Sequence, residues 1–449
     1  MDLPGTLARH VFIPAYNRRW GIRNGPIIRN LMRSQYFTPE QIRADQWQAV
    51  KRLLDFVYAH NTFYRRRFDA AGMTPDDVTS REEFARLPAL TKDDIRQNSE
   101  LLISRGYSRE QMTHKRTGGS TGLPVHLYVD AEAFSFKYAV TYRHDRWAGY
   151  LPGARRAALW GDTDKKYSLK ERLYKALCER TLYMDTLKMD DEYLLAFVRK
   201  LRRYRPHSLI GHAHSLYFFA KFLRDNAITD VCFDSIVSTA ETLSAEERQT
   251  VEAVFGRIVF DRYGCEELSL IASECEQHDG LHISAEGLYV EIIGGDDTRP
   301  GDLVITDLVN RGMPFIRYEI GDTATTLGGA CACGRGLPRL GRVSGRTADI
   351  LYTPEGRKIS GISILDTFVI HIPGLRQVQI VQEKPDQVTF KIVKDADFGQ
   401  HTLEKLARTV SGVFGPAMKY DIEYVTQIPM TPRGKYQFSV SRLKEEDLP

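Results

Sequence analysis

The sequence predicts an α/β fold in two parts: a large N-terminal domain over residues 1–345, built on parallel βαβ units, and a small α+β domain over 346–449. Between 207 and 261, apolar runs alternate with capped amphipathic stretches in the order strand, helix, strand, helix, strand. That is the spacing of parallel βαβ units, whose ligand site lies at the carboxyl ends of the strands. Beyond about residue 345 the pattern changes to a hairpin, one helix and a further strand. The composition, 42% hydrophobic and 27% charged residues in 449, is that of a globular chain able to bury a large core.

The first clear helix starts at Thr38-Pro39-Glu40-Gln41, where a hydroxyl N-cap, a proline in the first turn and a glutamine form a capping box. Trp47, Val50, Leu54 and Val57 then share one face, as in a helix packed on a core. Leu87-Pro88-Ala89-Leu90-Thr91-Lys92-Asp93-Asp94 reads as a loop entering another capped helix. Further on, 207–211 reads as a strand, 214–226 as a helix and 233–238 as a strand. A Ser244/Glu247 capping box opens a helix over 244–255, Gly256 stops it, and a strand follows over 257–260. In the terminal part, strands over 378–381 and 388–393 flank a turn at Pro385-Asp386, and a helix over 403–413 precedes a strand over 421–425.

A net charge of +4 is too slight to imply nucleic acid as a partner. No apolar run approaches the roughly 18 residues that cross a bilayer, and Pro4 and Pro14 interrupt the N-terminus where a signal peptide would need an apolar stretch, so a cytoplasmic location is expected. Residues 1–39 hold six arginines and a single acid, Asp2. They form a solvated basic face or one that adheres to an anionic membrane surface. Six cysteines in a chain this long do not make a disulfide scaffold. Cys178 and Cys232 read as core.

The chemistry concentrates in a few segments. Thr117-Gly118-Gly119-Ser120-Thr121-Gly122-Leu123-Pro124 follows Lys115 and Arg116 and packs glycines and hydroxyls into a loop whose backbone N–H groups can turn toward an oxyanion. It is not the P-loop of nucleotide triphosphatases, since no Gly-Lys-Ser/Thr follows and Val125 stands where a lysine would be expected. Thr239-Ala240-Glu241 and Tyr263-Gly264-Cys265-Glu266-Glu267 leave strand ends, as does the segment holding His212 and His214, two residues that read as pocket lining or hydrogen-bonded wall. Tyr318-Glu319-Ile320-Gly321-Asp322, Gly345-Arg346-Thr347-Ala348-Asp349 and Thr431-Pro432-Arg433-Gly434-Lys435 follow.

In this order the segments resemble the adenylate-forming superfamily of acyl-CoA synthetases and adenylation domains. The entry at 87–94 and the later Cys331-Ala332-Cys333-Gly334-Arg335 resemble most its phenylacetate-CoA ligase branch, with relatives associated with capsular polysaccharide. The likeness covers roughly residues 85–440. It implies a small C-terminal domain that is mobile, ATP and Mg²⁺ as cofactors, a small carboxylic acid as substrate, and coenzyme A as the first expectation for acyl acceptor. An amine or a sugar hydroxyl is the alternative acceptor, and a non-catalytic nucleotide-binding homologue the second alternative.

The resemblance also implies roles. Ser120 and Thr121, with the backbone of Thr117, Gly118, Gly119 and Gly122, would grip the departing phosphates. Glu267 would direct Mg²⁺, with Glu266 as the competing candidate because the family's Thr/Ser-Glu reads Glu-Glu here. Tyr263, with Gly264 and Cys265, would lie against adenine, Ala240 and Glu241 would line the nucleotide and acyl pocket, and Asp322 with Arg346 would hold the ribose. Lys435 would set its ammonium between carboxylate and α-phosphate. The family's hinge usually has Asp or Lys where Ala348 stands, so the hinge is shifted by one residue or altered. Phe134, Tyr138, Trp160 and His214 are expected on the acid's wall. Cys275, His282, Cys331 and Cys333 suit a closed tetrahedral Zn²⁺ site, with His278 as the competing imidazole.

Overall fold

The computed structural model describes residues 2–19, 21–22, 24–116, 125–160, 168–187, 189, 191–344, 351–359, 364, 368, 372–428 and 438–443. A short antiparallel pair, β1 (Thr113–Arg116) and β2 (His126–Val129), flanks 117–124. The large sheet draws on β3 (Arg156–Leu159), β4 (Thr181–Met184), β5 (Ser208–His212), β6 (Ser235–Thr239), β7 (Val259–Cys265), β8 (Ser269–Ser273), β9 (Leu281–Ile283), β10 (Leu288–Ile293), β11 (Gly301–Asp307), β12 (Tyr318–Leu327) and β13 (Arg339–Ser344). Its spatial order is β10-β11-β12-β13-β9-β8-β7-β6-β5-β3-β4.

Two kinds of sheet are fused in it. From β4 to β7 the strands are parallel, and the helices Ala213–Asp225 and Ala245–Phe255 are the crossovers of the expected βαβ units. From β7 to β10 every pair is antiparallel. β7 is the seam, pairing Ile236 with Val259 on one side and Arg262 with Ser273 on the other.

Local chemistry sets the crossovers. The Ser244 hydroxyl accepts from the Glu247 N–H at 3.2 Å while Glu247 accepts from the Ser244 N–H at 2.9 Å, closing the capping box, and Gly256 ends the helix at φ 62°. Apolar faces complete the layers. Phe197, Leu216, Phe219 and Val251 cover Leu209, Ile236 and Val259 in the parallel half. In the antiparallel half, Val50, Leu54 and Val57 of the helix Pro39–His60 pack with Ile305, Tyr318 and Ala324, and Trp47 packs against them. Val125 is buried in that same cluster, so the side chain in place of a lysine contributes to the core.

The N-terminal segment, which the sequence marked only by its charge, is helical over Leu3–Leu7, Ala8–Phe12, Ile13–Arg19 and Asn24–Ser34. In the terminal part, β14 (Leu351–Tyr352) and β15 (Lys358–Ile359) form a small ladder. They precede β16 (Leu375–Lys384) and β17 (Gln387–Lys394), whose hairpin turns at Pro385-Asp386 as expected, the helix Gln400–Phe414, β18 (Lys419–Tyr424) and β19 (Ser439–Ser441). The four-stranded sheet, ordered β18-β17-β16-β19, has its own core around Val378, Phe390, Leu406 and Phe414. The expected boundary at 345/346 lies outside the described residues. Cys178 is buried, but Cys232, expected in the core, is exposed.

Candidate active site

A cavity of about 530 Å³ opens at the seam. The parallel half supplies strand ends: Trp160 after β3, His212 closing β5, and Ala240 and Glu241 after β6. The antiparallel half supplies strand interiors: Ile320 and Asp322 on β12, Gly341 and Val343 on β13. β7 runs along the wall and brings Asp261, Arg262, Tyr263, Gly264 and Cys265, followed by Glu266 and Glu267. Of the expected nucleotide-site residues, Ala240, Glu241, Tyr263, Gly264, Cys265, Glu266, Glu267 and Asp322 therefore line one cavity. The loop residues Thr117, Gly118, Gly119, Ser120, Thr121 and Gly122, together with Arg346, Ala348 and Lys435, lie outside the described residues.

The backbone is unusual at two of these positions. A Cβ on Gly264 would stand 2.5 Å from the Ser269 carbonyl oxygen, so only glycine allows β7 to turn back this closely into β8. Ala240 sits in the left-handed region at φ 68°, a strained conformation of the sort that collects at functional sites.

Hydrogen bonds join motifs that are distant in sequence. The Tyr263 hydroxyl donates to Asp322 at 2.8 Å, and the Tyr318 hydroxyl donates to Glu267 at 3.0 Å. Glu267 is 6% exposed, whereas Glu266 faces solvent and pairs with Lys115 at 3.1 Å. Asp261, on the same wall, has its carboxyl pushed up to about 7, by burial first and then by the nearby Glu274 carboxylate. Behind the wall Asp145 is buried between Arg262 at 2.7 Å and Arg156 at 3.0 Å. Against the cost of burial, the two guanidiniums hold its carboxyl below the usual range.

The expected acid-pocket residues separate. Trp160 lines the cavity, but Phe134, Tyr138 and His214 are not among its lining residues. Phe134 and Tyr138 sit on the helix Ala131–Trp147, which packs on β8 and on the helix Asn24–Ser34, away from the strand ends. His214 begins the helix after β5, so its ring turns to Glu247 while its backbone N–H donates to Glu241 at 3.1 Å. Its neighbour His212, still on the strand, faces the cavity instead. Asp261, Arg262 and Glu274 also line it; the acid and base two and one residues before Tyr263, charged positions in an otherwise apolar strand, were the signal that could have found the first two.

A second cluster lies apart from this cavity. The ligating atoms of Cys275, His282, Cys331 and Cys333 all fall within 4.8 Å of one another. The Cys275 and Cys331 sulfurs are 3.7 Å apart, and Cys333 Sγ is 3.4 Å from His282 Nε2. A carbonyl only accepts, so the 3.2 Å contact with Leu337 O puts the proton on His282 Nδ1 and aims the Nε2 lone pair at the sulfurs. Burial pushes His282 down to about 4, which keeps it neutral. His278 is held by Glu274 at 2.9 Å and stands outside the group. Tetrahedral zinc with bonds of about 2.3 Å to sulfur spaces its ligands by roughly 3.8 Å, so the residues fit such an ion.

Residues 351–442 match the family model described as the CapK C-terminal domain. The chain is 25% identical over 417 residues to the protein CapK of Staphylococcus aureus, covering 89% of each chain. It is 26% identical over 435 residues to the phenylacetate-coenzyme A ligase of Thermus thermophilus, covering 88% of this chain and 95% of that one. Its fold is shared by the crystal structure of 2-hydroxyisobutyryl-CoA ligase, at a TM-score of 0.58, 20% identity and 90% coverage of each chain.

Proposed function

We propose, from the chain's place among the phenylacetate-CoA ligase-like adenylate-forming enzymes that include CapK, that it activates a carboxylic acid with ATP and passes the acyl group to coenzyme A. A carboxylate oxygen bonds to the α-phosphorus and pyrophosphate leaves. The CoA sulfur then bonds to the acyl carbon, its proton passes to solvent, and AMP leaves with the electron pair of the broken C–O bond. One observation carries the reading: the Tyr263–Asp322 and Tyr318–Glu267 hydrogen bonds join the motifs, in family order, on one cavity wall.

In this reading the adenine lies on Tyr263, and Asp322 with Arg346 accepts and fixes the ribose. The loop 117–122 holds the β- and γ-phosphates. Glu267, a hard oxygen ligand, holds Mg²⁺, which neutralises phosphate charge when bound. Lys435 brings its ammonium between the two anions and stabilises the charge that builds on the phosphoryl oxygens. The location is cytoplasmic, where ATP and CoA are found.

ATP/pyrophosphate exchange across a library of acids, followed by trapping with CoA or with amines, tests both halves. Exchange should require Mg²⁺ and yield a thioester with CoA. Lys435→Ala should lower exchange by about a hundredfold or more, and a loss under tenfold would count against the assignment.

The Cys275, His282, Cys331 and Cys333 cluster holds structural zinc in this proposal, tying the loop after β8 to the one before β13. Metal analysis of the purified protein should find about one equivalent; less than a tenth would remove the idea. The basic N-terminal helices rest on an anionic membrane surface. Exposed Leu3, Leu7 and Val11 lie on helices that pack beside a second exposed stripe, Leu169, Leu173 and Leu177, and Arg9, Arg18 and Arg19 supply the charge. Sedimentation with anionic but not neutral liposomes is the expected result.

A further inference from the structure

Trp160 and His212 bring their rings together where the parallel half meets the cavity, with centroids 4.7 Å apart and planes at 49°. This aromatic corner is not an apolar one. His212 is 5% exposed, and its Nδ1 has no hydrogen-bond partner among the described residues. Glu241, 8% exposed, accepts the His214 backbone N–H on Oε2 and leaves Oε1 buried without a partner. Both side chains line the cavity. Buried polar atoms left unpaired are costly and few, and a cavity wall is where a ligand can supply what the protein withholds.

Protonation follows from the surroundings. Burial and the neighbouring His214 push His212 down to about 4, so near neutral pH its ring is uncharged, with one nitrogen donating and the other accepting. Burial pushes the Glu241 carboxyl up. The two side chains therefore offer the cavity hydrogen-bonding atoms rather than a strong field.

The two ends of the cavity divide the labour. Tyr263, Glu267 and Asp322 belong to β7, the turn after it and β12, whereas Trp160 and His212 come from β3 and β5 on the far side of the seam. Resting on the adenylation reading above, we infer that the acyl group lies against Trp160 and His212 and carries a hydroxyl or amino substituent that pairs with His212 Nδ1 and Glu241 Oε1. A hydrocarbon acid of the same size buries both atoms unpaired. Sites built around such a hydrogen bond reject the analogue that lacks it far more strongly than an apolar pocket rejects an extra group.

The test is pyrophosphate exchange by the full chain on matched acids: phenylacetate with its 4-hydroxy and 4-amino forms, benzoate with the same pair, butyrate with 3-hydroxybutyrate. In at least one series the substituted acid should exceed its parent in kcat/KM by about a hundredfold. His212→Phe should cut that ratio below tenfold while exchange continues, and His212→Asn, which keeps a hydrogen-bonding group, should restore part of it. Glu241→Leu, which removes the unpaired oxygen, gives the same reading should the phenylalanine variant not fold. Equal or better use of the parent acid in every active series would overturn the inference, as would a ratio unmoved in a folded His212→Phe; the unpaired atoms would then belong to water or to the nucleotide. Exchange with no acid at all would instead overturn the adenylation reading itself.

Discussion

The two halves of the large sheet contribute to the cavity in different ways. The parallel half reaches it only through residues at or just past its strand ends, Trp160, His212, Ala240 and Glu241, because every parallel strand runs toward the same edge. The antiparallel half has no common end, so it lends residues from strand interiors, such as Asp322 in β12 and Gly341 in β13. The difference is also chemical. The antiparallel side carries carboxylates already fixed by tyrosine hydroxyls, while on the parallel side His212 Nδ1 and Glu241 Oε1 have no partner among the described residues. On the adenylation proposal, the side with fixed carboxylates takes the nucleotide and the side with unpaired atoms takes the acyl group.

The largest loss is expected at the clamp behind the seam. Asp145→Ala leaves buried Arg262 and half-buried Arg156 without their shared anion, and denaturant unfolding should show a loss of about 3–5 kcal/mol. A loss under 1 kcal/mol would mean the halves are not joined there.

Next comes the fixed side. Glu267→Gln should keep the Tyr318 hydrogen bond yet lower exchange by about 10²–10³-fold, roughly 3–4 kcal/mol of transition-state stabilisation, with the melting temperature little changed. An equal effect on stability and exchange would make Glu267 a structural residue.

Asp261 makes stability at the cavity wall depend on pH. Its folded carboxyl is held at about 7, above the ordinary range, so the folded chain binds the proton more tightly than the unfolded one. Stability from this group is therefore present below about pH 4 and falls as pH rises through about 7. Because the side chain also borders the cavity, Asp261→Asn should stabilise the protein by about 1–2 kcal/mol at pH 8, a fraction of the full shift, and by almost nothing at pH 4. Parallel stability curves for the two proteins would remove the argument.

The smallest effect belongs to the parallel half's own scaffold. Ser244→Ala removes the N-cap of the crossover between β6 and β7 and should cost about 1 kcal/mol in unfolding without altering selectivity among acids.

Much of this was legible in the residues. The Ser244 box, Gly256 and the alternation through 207–261 dictate the crossovers locally, and the hairpin at Pro385-Asp386 follows from flanking period-two strands. The family resemblance of the segments holding Tyr263, Glu267 and Asp322 implied a shared site, and the three side chains line one cavity. The cavity wall on the parallel side was not legible in the same way. Aromatic residues at 134 and 138 look as suitable as those at 160, and His212 and His214 differ in sequence by two positions only. Which of them faces the cavity depends on where a strand ends and a helix begins, and on which face of the helix Ala131–Trp147 meets its neighbours.

The sequence by itself determined the elements, their caps and the order of the chemical motifs, since these depend on residues close along the chain. Tertiary packing alone makes β7 a seam, sets Asp145 between two guanidiniums and places His212 rather than His214 on the cavity wall. Those are contacts between segments far apart in sequence, fixed by packing and burial, and no local pattern encodes them.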